Sequence, residues 1–75
     1  MRRIGVNSSA ASSIGYKDQV LEVRLKRSKN TGAIYQFYPV SFRKYDRLMN
    51  AKSIGKSLQR NFLGRDDLYT ITQVG

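Results

Sequence analysis

Lys52, Lys56 and Arg60 recur at four-residue intervals, and Arg43, Lys44 and Arg47 crowd the segment just before them. Cations at that spacing share one side of a helix and suit the phosphate oxygens of a nucleic-acid backbone. A solvated helix face has the same pattern, so the stripe alone leaves both readings open. A second basic cluster, Arg24, Lys26, Arg27 and Lys29, runs along a strand into a loop. Tyr35, Phe37 and Tyr38 offer aromatic surface for unpaired bases, which stack without regard to identity. Tyr35 and Phe37 point the same way in a strand and read as core if helices cover that side. Tyr38 then faces outward with Ile34 and Gln36 and is the better stacking candidate. The candidate nucleic-acid-binding residues are therefore Arg24, Lys26, Tyr38, Arg43, Lys44, Arg47, Lys52, Lys56 and Arg60.

Fourteen lysines and arginines stand against five acids, with no histidine and no cysteine, for a formal charge of +9 over 75 residues. The missing side chains remove the usual ligands of zinc, copper and haem, the thiol nucleophile and the imidazole base. Asp18, Glu22, Asp46, Asp66 and Asp67 are scattered, and the adjacent Asp66-Asp67 reads as a charged turn. The sequence thus predicts no catalytic residue, no metal, no cofactor and no small-molecule substrate. Ser53-x-Gly55-Lys56 has two readings: backbone N–H groups and an ammonium at a helix start that hold an anion, or a glycine kept small where two helices pass closely. It is not a P-loop, because the first glycine and its strand are missing.

These residues need elements to hold them. The apolar share of 40%, with five tyrosines and three phenylalanines, puts the chain in the folded class, and its length allows one domain. Residues 1–12 lack aromatics and periodicity and read as a flexible N-terminal arm with a short edge strand near Val6; residues 13–75 read as the domain. Ser13–Tyr16 predicts a strand, Lys17-Asp18-Gln19 a tight turn. Val20–Lys26 alternates strictly, with Leu21, Val23 and Leu25 toward the core and Glu22, Arg24 and Lys26 toward water. Arg27–Gly32 reads as a hairpin loop and Ala33–Tyr38 as a third strand ended by Pro39.

Ser41 caps a predicted helix to about Ala51, with Phe42, Tyr45, Leu48 and Met49 on its buried face. A second helix runs from Ser53 to a stop at Gly64. Ile54, Leu58 and Phe62 are two positions out of phase with Lys52, Lys56 and Arg60, about 200° of rotation, so apolar and basic residues take opposite sides. Leu68–Val74 predicts the last strand, with Tyr69 and Ile71 facing inward. The order β-β-β-α-α-β is an α+β domain: a small antiparallel sheet with two helices on one face. Leu21, Val23, Leu25, Tyr35, Phe37, Tyr45, Leu48, Met49, Leu58 and Ile71 form the predicted core.

From about residue 6 to 72 the chain resembles the KTSC domain, a small domain found at the C-terminus of some lysyl-tRNA synthetases and as stand-alone proteins. Val6-Asn7-Ser8-Ser9 followed by Ile14-Gly15-Tyr16 is similar to the family's serine-rich lead into a Gly-Tyr strand. Tyr35-Gln36-Phe37-Tyr38 lies at its aromatic-x-aromatic motif. Tyr45, Leu48, Met49, Ala51, Ser53, Gly55 and Lys56 fall at the spacing of its Tyr-x-x-Leu-Leu-x-Ala-x-Ser-x-Gly-Lys run. The chain departs from the pattern at Phe37, where a tyrosine is usual, at Ser41, where a proline is common, and at Ser57-Leu58, where two aromatics are common. The resemblance implies the α+β fold; the family's own role is generally described as unknown, with RNA binding one suggestion.

Charge and composition together point to a small basic nucleic-acid-binding module, RNA before DNA, working through phosphate contacts with some stacking. The alternative is a protein-interaction module that recognises an acidic partner surface through the same cations. No apolar run is long enough for a signal peptide or membrane span, so no membrane partner is expected, and the lack of cysteine pairs fits a cytoplasmic location.

Overall fold

The computed structural model describes residues 2–26 and 32–75. Five antiparallel strands, β1 (Arg3–Gly5), β2 (Ala11–Lys17), β3 (Val20–Leu25), β4 (Ile34–Tyr38) and β5 (Thr70–Gln73), lie side by side in chain order. Helices α1 (Phe42–Met49) and α2 (Ile54–Asn61) intervene between β4 and β5. The fold is the expected α+β arrangement with one strand more. Arg3–Gly5 lies in the expected arm, where the sequence predicts a strand nearer Val6, yet it pairs with β2 through Arg3↔Gly15, Ile4↔Ile14 and Gly5↔Ser13. Three residues are too few to display an alternation, which is why the strand escapes a pattern search. β2 likewise begins at Ala11, which is fully buried, rather than at Ser13.

Local chemistry sets the turns. Asp18 and Gln19 both take positive φ, 51° and 66°, as the two central residues of the β2–β3 hairpin. Gly32, at φ 86°, leads into β4. The hairpin loop expected at Arg27–Gly32 otherwise lies outside the described residues, as do Arg27 and Lys29 of the second basic cluster.

One row of paired residues crosses the whole sheet: Arg3, Gly15, Glu22, Gln36 and Thr72. Glycine in the second place lets the Arg3 side chain lie across β2. A Cβ on Gly15 would sit 2.7 Å from the Arg2 carbonyl oxygen and 3.0 Å from Arg3 Cγ. Arg3 then donates to Ser13 Oγ at 3.0 Å through Nε and pairs with the Glu22 carboxylate through Nη1. Gln36 Nε2 donates to the other carboxylate oxygen at 2.8 Å. Glu22, expected in water on the outer face, is on that face but only 6% exposed, because Arg3 and Gln36 close over it.

The opposite face carries the core. Ile14, Leu21, Val23 and Phe37 from the sheet meet Leu48 of α1 and Leu58 of α2. Of the predicted core, Leu21, Val23, Phe37, Leu48 and Leu58 are fully buried, while Leu25, Tyr35, Tyr45, Met49 and Ile71 pack partly buried around them. Ala11, Ile14, Val40, Phe62 and Tyr69 complete the buried cluster. Phe42 departs from the buried face expected of α1. As the first residue of α1 it lies beside Tyr16 and Tyr45, which stack on each other at 4.7 Å and already cover the core there, so Phe42 stays 65% exposed. Tyr69 falls just before β5 rather than within it and stacks on Phe62 at 5.4 Å.

Two outcomes follow from the Arg3–Gly15–Glu22 row. Gly15→Ala forces the β1 backbone outward and should lower stability by about 1–3 kcal/mol, the usual cost of overpacking, read from urea unfolding. The second concerns pH. The Gln36 hydrogen bond, then the Arg3 guanidinium, holds the Glu22 carboxyl below its ordinary 4.5 against the opposing effect of burial. A folded value below the unfolded one means that the unfolded chain takes up the proton first. The carboxylate's contribution is therefore complete above about pH 4.5 and is lost as pH falls through the lowered folded value. Urea unfolding of Glu22→Gln beside the parent between pH 6 and 3 should find the parent more stable at the upper end and the gap closing toward the lower; a constant gap would contradict the account.

Candidate nucleic-acid interface

Each helix is opened by a serine cap. Ser41 Oγ accepts from the Lys44 N–H and Ser53 Oγ from the Lys56 N–H, both at 3.3 Å. The caps satisfy donors that an eight-residue helix leaves free at its start, and they set the phase of the lysines that follow. Neither helix has an acid in its first turn, and each carries an arginine in its last turn, Arg47 or Arg60, the sign that the negative end of a helix dipole favours. With Leu58 and Phe62 turned into the core, Lys56 and Arg60 are left exposed on the far side of α2, and Lys52 is exposed just before its cap.

Two adjoining concavities open on this side. One, of about 220 Å³, is lined by Lys44, Arg47 and Leu48 of α1, Ser57 and Asn61 of α2, then Phe62, Arg65, Leu68 and Tyr69. The other, of about 280 Å³, follows α2 and is lined by Lys52, Ser53, Lys56, Ser57, Arg60 and Asn61. Ser57 and Asn61 are common to both and are joined by an Asn61 Nδ2 to Ser57 Oγ hydrogen bond at 3.3 Å. No acidic side chain lines either one. Lys44 Nζ lies 5.2 Å from the centre of the Tyr69 ring, a cation–π contact that ties α1 to the segment before β5. Arg65 pairs with Asp67 at 3.2 Å, both partners well exposed.

The structure thus brings Lys44, Arg47, Lys52, Lys56 and Arg60 to one surface. Arg43 is exposed on α1 but lines neither concavity. Arg24 and Tyr38 belong to the outer face of the sheet, away from the helices. Arg24 packs its guanidinium against Gly32, and Tyr38, 50% exposed, pairs with Thr70. Strand alternation is the reason: both are odd with respect to the core-facing Val23 and Phe37. Lys26 sits at the margin, its Nζ 3.5 Å from the Ser8 carbonyl. The two basic clusters therefore do not merge through Arg24. Ser57, Asn61, Arg65, Leu68 and Tyr69 escaped the sequence reading because they meet only when the turn after Gly64 folds back on α2. The Lys44–Tyr69 contact spans too much sequence for any local pattern to reveal.

Gly55 has a plain structural role. A Cβ there would come within 3.1 Å of Ala10 Cβ and 3.4 Å of Ser8 Oγ. The close approach is by the β1–β2 connection and not by α1, as the sequence suggested. Among the described residues no cluster of three potential metal ligands occurs, and no helix is long and apolar enough to cross a membrane.

The KTSC domain model matches residues 7–65. The fold is similar to the crystal structure of a KTSC domain protein from Yersinia pestis, at 28% identity and a TM-score of 0.81, covering 99% of this chain and 97% of that one. No curated protein matches the chain. With the family's pattern running through most of the chain and its fold reproduced from β1 to β5, the chain belongs to the KTSC domain family.

Proposed function

We propose that this domain is a small, non-catalytic nucleic-acid-binding module that prefers RNA to DNA and acts in the cytoplasm. The observation that carries the reading is the helical surface: Lys44, Arg47, Lys52, Lys56 and Arg60 share two adjoining concavities with no acidic lining residue. In a chain of formal charge +9, such a surface concentrates positive potential where field lines are focused. Concavities suit an unpaired, flexible strand, whose phosphates can follow the relief, better than a rigid duplex. Lysines on flexible stems act as point charges there, and Arg47 and Arg60 add forked donors for phosphate oxygens. The sheet's outer face is less suited to stacking, since Tyr38 is its one exposed ring among the described residues and Glu22 lies beneath Arg3 and Gln36. RNA contact is therefore assigned to the helices and not to the sheet.

Reversing Lys52, Lys56 and Arg60 together should abolish binding to unstructured RNA and leave the fold intact, because exposed changes typically move stability by under about 0.5 kcal/mol each. With about four phosphates engaged, log affinity of the parent should fall with log salt at a slope near −2.8, at roughly 0.7 per phosphate of single strand. Fluorescence anisotropy across a salt series measures both. A parent with no affinity for RNA at low salt, or a triple variant that binds unchanged, would favour an acidic protein surface as the partner instead.

A further inference from the structure

Phosphate binding alone does not explain the first concavity. Its floor is apolar and buried, formed by Leu48, Phe62 and Tyr69, and at its lip Leu68 stays 48% exposed. With no residue of that floor more than 5% exposed, Leu68 is the side chain that offers apolar surface, and a phosphodiester gains nothing from it. A flat apolar group does, provided that it brings polar edges and negative charge to match the rest of the lining: the Asn61 carboxamide and Ser57 hydroxyl on one wall, and Lys44, Arg47 and Arg65 around the rim. The volume of about 220 Å³ falls below the ~300–1,000 Å³ usual for drug-sized ligands and cofactors, which limits the occupant to a single small ring system.

Resting on the proposed RNA reading, we infer that this concavity seats one unpaired nucleobase of a bound RNA strand. The base lies against Leu68 and the Tyr69 edge, and its hydrogen-bonding edge meets Asn61 and Ser57, which offer both donors and acceptors. Because these two residues also wall the neighbouring concavity, the strand's adjacent phosphates fall to Lys56 and Arg60. Lys44, now over the Tyr69 ring, has a flexible stem that lets its ammonium turn to the phosphate of the seated nucleotide. The helix side of the domain is then a base-and-phosphate site, selective for single strands.

The test compares a uridine decamer with an abasic ribose-phosphate decamer of equal charge, titrated into the full chain by fluorescence anisotropy. A seated base should make the uridine strand bind about 5- to 150-fold tighter, the range that one stacked base contributes. Leu68→Ser, uncharged and at an exposed position, should bring the uridine strand close to the abasic one and leave the abasic affinity and both salt slopes unchanged. Equal affinity of the two parent titrations, or a Leu68→Ser loss shared by both strands, would overturn the base seat while leaving phosphate binding intact. Failure of both strands to bind at low salt would overturn the base seat and the RNA reading together, and polyglutamate binding as tightly as the uridine strand would assign the surface to an acidic protein.

Discussion

Two helices of eight residues each are too short to persist alone, since isolated helices below about 12–15 residues are marginal in water. Their existence depends on what they bury. Leu48 is the fully buried residue of α1 and Leu58 that of α2, and both close on the same sheet face around Phe37. Everything the helices present to a partner is thus held by a few apolar contacts. The same residues serve twice: Leu48, Phe62 and Tyr69 belong to the core and also form the floor of the concavity above it.

The small supply of acid is distributed in a way that matters for that surface. Glu22 is taken up by Arg3 and Gln36 on the far side of the sheet. Asp46 accepts from the Asn50 side chain at the end of α1, and Asp67 faces Arg65. None of the three lines either helical concavity, and of the cations that do, Arg65 is the one paired with an acid among the described residues, Asp67. A chain of high net charge works against its own compactness through self-repulsion. Here the one buried acid offsets that repulsion in the sheet, and the exposed cations of the helical concavities are left to solvent and salt, which screen them.

Much of the architecture was legible because it rests on local rules. The alternation from Val20 to Leu25, the serine caps at Ser41 and Ser53 and the phase of Leu58 against Lys56 all survive in the structure, since each is set by residues within a few positions of one another. Phe42 went astray for a reason that periodicity does not contain: a helical position faces the core only if core remains uncovered beneath it, and Tyr16 and Tyr45 had closed that space. Glu22 became buried through partners on β1 and β4. The resemblance to the KTSC domain supplied the fold more securely than the pattern of any single element. The candidate surface was half legible. The basic stripe announces itself in the spacing of Lys52, Lys56 and Arg60, whereas the apolar pocket beside it is assembled by a chain reversal that brings Leu68 and Tyr69 back to α2.

Gly15 is where the first strand meets the rest. With the glycine, Arg3 crosses β2 and binds β1 to the sheet; without the passage it gives, β2 would be the outermost strand, seven residues long with its row of amides and carbonyls unpaired. Long open edges invite pairing with other chains, while short ones carrying charge and glycine discourage it. β1 is such an edge, three residues of Arg-Ile-Gly. A hydrogen atom in place of a methyl group, in the middle of one strand, thereby helps to keep a highly charged domain from growing its sheet into that of a neighbour.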